Sequence, residues 1–170
     1  MSNKRKPHII YIIVHDLGRY LGCHGRSPLP TPNLDALAGE GMLFTNHFCV
    51  APSCSPSRGT ITTGKYPHSN GLMGLSNPNH GWTLPASETT MPERLKNIGY
   101  ETYLFGLQHE RAIDKERDRY TLGYDHVTDR ESVGIHCWRV AEEVVGFLDN
   151  RSTPETKRES SDPPFFASVG

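Results

Sequence analysis

The chain has 170 residues, with 18 Lys plus Arg against 19 Asp plus Glu and a formal net charge of -1. That length suits one domain, and the balanced charge gives no reason to expect a nucleic-acid or acidic-membrane partner. Apolar runs such as Ile9–Val14 are too short to span a bilayer, while 16 Gly and 13 Pro exceed average usage and predict a loop-rich chain with a thin core.

Residues 8–14 are continuously apolar and β-branched, which predicts a strand covered on both faces. His15 and Asp16 follow at its C-terminal end, where open α/β sheets bind ligands. Thr31-Pro32 predicts a capped helix start, with Leu34, Leu37 and Ala38 as its buried stripe and Gly41 as its end. Residues 42–45 read as a short strand. Residues 51–58 read as a Pro- and Ser-rich loop, and 59–63 as a short helix closed by Gly64. Residues 69–87 read as loop.

Thr90-Met-Pro-Glu93 predicts a second capped helix running through Leu95 and Ile98 to Gly99. Residues 101–105 read as a strand carrying Gly106 to His109 at its C-terminal end. Val140, Val144, Val145 and Leu148 predict an amphipathic helix, and 165–169 a final strand. Residues 151–162 read as a solvated connection. The alternation of strands and helices predicts an α/β fold, a mainly parallel sheet with helices on both faces.

Four cysteines are too few for a disulfide framework, and none forms a CxxC pair. Cys23, His24 and Cys49 match no common zinc spacing. The basic N-terminus is followed by only a short apolar stretch and no small-residue cleavage site. These features predict a reducing, cytoplasmic setting, or a periplasmic or secreted one if the native N-terminus is longer.

The segment Cys54-Ser-Pro-Ser-Arg58, continued as Gly59-Thr-Ile-Thr-Thr-Gly-Lys-Tyr-Pro67, resembles the signature of the formylglycine-dependent sulfatases. The resemblance runs on through residues 8 to 110. It takes in His15-Asp16, the segment Thr31–Ala38 with Gly41–Asn46, and Gly99–His109. Residues 67–74 and Ser55 lean toward sulfamidase-like members. The resemblance implies an alkaline-phosphatase-like fold, incomplete at the C-terminus, with residues 1–170 as the N-terminal part of one catalytic domain.

It also implies a sulfuric ester hydrolase in which Cys54 is converted to formylglycine by a maturation enzyme. Arg58, one helical turn beyond Cys54, would face the same pocket, and His109 would contact the sulfate or leaving-group oxygen. Lys65 is a further candidate for substrate binding. Asp16, His15 and position 54 would ligate a divalent metal, Ca2+ in the family pattern. His15 replaces the usual first carboxylate and leaves Mg2+ or another ion open.

Leu107 stands where the family carries a lysine. No Asp-Asn or Asp-His pair of the right context follows residue 110, and Asp125-His126 reads as a surface turn. The chain therefore looks like a truncated sulfatase, expected to be inactive alone. The expected substrate is a sulfated small molecule or carbohydrate. The alternatives are a phosphomonoester or phosphonate hydrolase of the same superfamily and a non-enzymatic remnant. His24, His47, His68 and His80 are read as bystanders.

Overall fold

The computed structural model describes residues 6–26, 28–77, 79, 81–112, 122–128, 137–152 and 163–170. His80 and most of the 151–162 connection lie outside the described residues. The chain divides into two compact units. One comprises Met1–Ile13 with Val50–Gly170, and the other Val14–Cys49.

The first unit is built on a four-stranded sheet. Its strands are β1 (Ile9–Ile12), β2 (Glu101–Phe105), β3 (His126–Val127) and β4 (Phe165–Val169), in the order β1-β4-β2-β3. All three pairings are parallel. β4 lies inside the sheet, and Phe165, Phe166, Ala167 and Ser168 are buried, as suits a strand covered on both faces.

β1 is shorter than the apolar run and its burial alternates. Ile10 and Ile12 are exposed, so the expectation of a strand covered on both faces fails. Ile9 and Tyr11 pack against the cluster on one face of the sheet, whereas Ile10 and Ile12 are not among the residues packed on the other. The two-residue β3 escapes sequence reading because it is too short to show a period.

Two apolar layers cover the sheet. On one face Leu72, Leu84, Tyr100, Leu104, Leu122, Tyr124 and Phe166 form a cluster with Met91 and Leu95 at its margin. Met91 and Leu95 belong to helix α4 (Met91–Asn97). On the other face Phe105, Phe165 and Ala167 pack under Val140, Val144, Phe147 and Leu148 of α5 (Cys137–Ser152). Helices on both faces of a parallel sheet are thus observed. Val145, assigned to the α5 stripe from sequence, is exposed, and Phe147 takes its place.

α4 begins as its sequence predicts. The Thr90 side chain accepts from the Glu93 N–H at 3.3 Å, and the Glu93 carboxylate accepts from the Thr90 N–H at 2.8 Å. Thr90 is fully buried, and its hydroxyl also donates to the Leu122 carbonyl at 2.6 Å. Thr90→Ala is therefore expected to remove a cap and orphan a buried carbonyl. Unfolding in urea should show a loss of about 1–2 kcal/mol.

Acid sensitivity concentrates at β2. Burial alone would raise the Glu101 carboxyl. Hydrogen bonds from Tyr103, Arg151 and His126, with the Arg151 charge, outweigh that and hold it below 4.5. Burial likewise opposes, and Lys96 and Thr102 override, a lowered Asp125, held below 3.8. Asp125 is therefore no surface turn. Its Oδ2 accepts from the Thr102 N–H at 3.0 Å and the Thr102 hydroxyl at 2.9 Å, and it pairs with Lys96.

Folded values below the unfolded ones mean that the stabilisation is complete above the unfolded values and is lost as pH falls through the folded ones. The urea midpoint should fall as the pH is lowered through the range in which these two carboxylates take up protons. Glu101→Gln should flatten that slope.

The second unit holds helix α1 (Pro32–Glu40), preceded by a 3-10 turn at Gly22–His24. Thr31 does not cap α1 as expected. Its hydroxyl accepts from the Gly22 N–H at 2.8 Å and donates to Asp35 Oδ1 at 3.0 Å, while Asp35 also accepts from the Cys23 N–H at 2.6 Å. The hydroxyl is thus committed to joining the turn to the helix. Leu34 and Leu37 are exposed, so the expected buried stripe is not buried, and residues 42–45 form no strand. An apolar pattern sets which face would be buried, not whether anything packs on it.

Candidate active site

Helix α2 (Cys54–Thr63) starts five residues earlier than the composition suggests. Pro56 is compatible with this because it lies in the first turn, where its missing N–H has no intrahelical acceptor to lose. Gly64 ends the helix in the left-handed conformation, φ 72°. The short helix α3 (Pro67–Asn70) follows, within the segment read partly as loop. Ser55 is fully buried and its hydroxyl accepts from the Ser76 N–H at 2.9 Å. That bond anchors the start of α2 beside Cys54.

The loop after β2 turns at Gly106, φ +86°, where any side chain would strike the Gly170 carbonyl. Leu107 then donates its N–H to that carbonyl at 2.6 Å. The loop carries His109 to α2, and the Cys54 Sγ lies 3.2 Å from His109 Nδ1. Two residues separated by 55 positions, both singled out from sequence, are in contact.

Arg58, also singled out, is only 5% exposed. Its Nη1 donates to the Leu107 carbonyl at 3.2 Å. Its Nη2 is buried with no hydrogen-bond acceptor among the described residues. A Cβ added at Gly170 would lie 3.2 Å from both guanidinium nitrogens and 3.4 Å from the Ile13 carbonyl. The guanidinium therefore sits over the C-terminal ends of β1 and β4, where an α/β sheet presents ligand sites. Tyr11 feels this charge: burial pushes its hydroxyl up, Arg58 pulls against that and Glu110 adds to it.

Lys65 is engaged elsewhere. Its Nζ pairs with the Glu88 carboxylate at 2.7–3.0 Å, half-exposed at the end of α2. His68 is exposed and stacks with Tyr66. In the second unit His24 lies in the 3-10 turn and His47 is near Phe44. All four cysteines are free thiols.

His15 and Asp16 sit together in the second unit and bond each other, Nδ1 to Oδ2 at 3.0 Å, with Asp16 in the left-handed region at φ 55°. Among the described residues no group of three or more His, Cys, Asp or Glu could hold a metal. The described side chains do not fit a divalent-metal site by themselves.

The sulfatase family model matches residues 7–170. The chain belongs to the sulfatase family. Arylsulfatase H of Canis lupus familiaris is 38% identical over 118 residues, which is 65% of this chain and 21% of that protein. Arylsulfatase J of Mus musculus is 42% identical over 122 residues, 71% of this chain and 20% of that protein. The chain thus spans about a fifth of the length of these curated sulfatases.

A solved structure of a protein in complex with its substrate, D-glucosamine-2-N,6-O-disulfate, superimposes with a TM-score of 0.74 at 25% identity. The match covers 98% of this chain and 34% of that one. The sheet and its flanking helices are those of the alkaline-phosphatase-like α/β fold of sulfatases. No helix among the described residues is long and apolar enough to cross a membrane.

Sequence reasoning missed Glu110 and Thr62. Both are buried, and they hydrogen-bond each other at 3.0 Å between the β2 loop and α2. A charged residue immediately beside the site histidine was the available signal.

Proposed function

We propose that this chain carries the nucleophile-bearing N-terminal part of a sulfuric ester hydrolase, with Cys54, Arg58 and His109 as its reacting and binding groups. The observation that carries the reading is the 3.2 Å approach of His109 to Cys54, with an unsatisfied guanidinium nitrogen of Arg58 one helical turn along α2. A sulfate ester is an anion, so a site for it needs fixed donors aimed at its oxygens and a nucleophile held in line. Arg58 supplies the donor, pre-set by its bond to Leu107. His109 is placed to exchange a proton with the group at position 54 or with the leaving oxygen.

Position 54 suits the modification that the family signature implies, since the thiol is only part-buried and faces His109. Formylglycine there would supply, as a hydrated aldehyde, one hydroxyl to attack sulfur and a second to let sulfate leave. For a divalent metal the candidates Asp16, His15 and position 54 are too few, because a hard cation such as Ca2+ takes about 6–8 oxygen ligands. The substrate class is a sulfated carbohydrate or other small sulfate ester, by analogy with the disulfated sugar of the solved relative.

The test is to co-express the chain, within the full-length protein that carries it, with a formylglycine-generating enzyme. Mass spectrometry of the Cys54 peptide should show sulfur replaced by oxygen with loss of two hydrogens. The converted protein should hydrolyse an aryl sulfate, and Cys54→Ala should not. An unmodified thiol, or turnover of a phosphate ester in preference to the sulfate ester, would sink the reading.

A further inference from the structure

We propose that Glu110 is a positioning residue that holds His109 against Cys54 by clamping the β2 loop to helix α2. Its catalytic consequence rests on the sulfatase reading above, but the clamp itself does not. The loop bearing His109 is knotted by its own side chains and backbone. Gln108 Oε1 accepts from the N–H groups of Glu110 and Arg111, at 3.2 and 3.0 Å, and Gln108 Nε2 donates to the Arg111 carbonyl at 2.9 Å. The Glu110 carbonyl accepts from the Leu84 N–H at 2.8 Å. These bonds shape the loop but do not tie it to the helix that bears Cys54.

The Arg58–Leu107 bond ties the start of the loop to α2, and the Glu110 carboxylate ties the part that bears His109. One oxygen, Oε2, accepts from the His109 backbone N–H at 2.7 Å. The other, Oε1, accepts from the Thr62 hydroxyl at 3.0 Å. Thr62 is on α2, eight residues beyond Cys54 on the same rigid helix. The chain of bonds runs from His109 through one carboxylate to the helix that positions Cys54 and Arg58. Glu110 is 5% exposed. A carboxylate buried that deeply is costly unless it is fully used, and here both oxygens are. The geometry matters because misplacing a reacting group by about 1 Å can cost roughly 100-fold in rate.

A residue that only stabilises the loop and one that sets the His109–Cys54 contact make different predictions. The probe is the thiol form of the chain, labelled with nitrogen-15, with the imidazole nitrogens of His109 observed by NMR. Cys54→Ala should shift those resonances in the parent, because it removes the sulfur at 3.2 Å. In Glu110→Ala the same Cys54→Ala change should shift them no further, since the contact is already lost.

Glu110→Gln should restore the shift. Its amide oxygen can accept from the His109 N–H while its NH2 donates to Thr62. Thr62→Val, which removes only the hydroxyl, should leave a measurably smaller shift, and it decides the matter if Glu110→Ala does not fold. A full Cys54-dependent shift in folded Glu110→Ala or in Thr62→Val overturns the proposal, as does its loss in Glu110→Gln. These readouts need no turnover, so failure of sulfate-ester hydrolysis and failure of the clamp are separate results.

Discussion

Arg58→Lys in the converted, full-length enzyme is expected to lower kcat/KM for an aryl sulfate by about 100-fold or more. Arg58 divides its donors. Nη1 is spent on the Leu107 carbonyl, and Nη2 is buried without an acceptor among the described residues. One nitrogen holds the side chain in place, and in the function proposed above the other meets the sulfate. A lysine has a single ammonium and no planar fork, so it cannot hold Leu107 and face the substrate from the same place.

Removing one preorganised donor from a site of this kind costs about 100–1,000-fold in kcat. Leu107, standing where a family lysine is expected, brings no replacement charge. Arg58→Ala should lose at least as much, since it also orphans the Leu107 carbonyl and opens a cavity. Cys54 conversion must be measured on each variant by mass spectrometry. Near-normal turnover by a converted Arg58→Lys protein would reduce Arg58 to a structural role.

The parts of the fold that sequence revealed are those whose chemistry is local. The Thr90–Glu93 capping box, the β-branched and aromatic runs of β2 and β4, and the α5 helix each act within a few residues and formed where expected, save that Phe147 replaces Val145 in the α5 stripe. The misreadings depend on what packs against an element. Leu34 and Leu37 present the same spacing whether covered or bare, and so do Ile10 and Ile12, which face the side of the sheet where neither packs into the apolar layer.

The start of α2 was hidden for another reason. Pro56 is a helix breaker in the interior but harmless in the first turn, so the Pro- and Ser-rich segment looked like loop. At the candidate site, Cys54, Arg58 and His109 were singled out from their motifs, and the structure brings Cys54 and His109 into contact. Glu110 offered only its place beside His109 as a signal, because a lone glutamate in a loop has no periodicity. Its role exists only through Thr62, 48 positions away.

Cys54→Ser is expected to abolish turnover and to leave a covalently sulfated protein in its place. Serine puts one hydroxyl where the modified residue would have two. Held beside His109 and facing Arg58, that hydroxyl can attack the sulfur of an aryl sulfate, lose its proton to the imidazole and release the phenol. The product is a sulfate ester of Ser at position 54. No second hydroxyl on the same carbon remains to expel sulfate, and the adduct is a stable ester that water must attack afresh.

The measurable result is a burst of phenol no larger than the enzyme concentration, followed by no steady rate. Intact-mass analysis should show one added SO3, mapped to the peptide of residue 54. The same variant separates the rival chemistry. An enzyme built for phosphomonoesters would hydrolyse its serine ester and turn over a phosphate substrate continuously, so sustained phosphatase activity in Cys54→Ser would reassign the site. Absence of both burst and adduct, in a protein whose Arg58 and His109 are intact and folded, would show that position 54 is not the nucleophile.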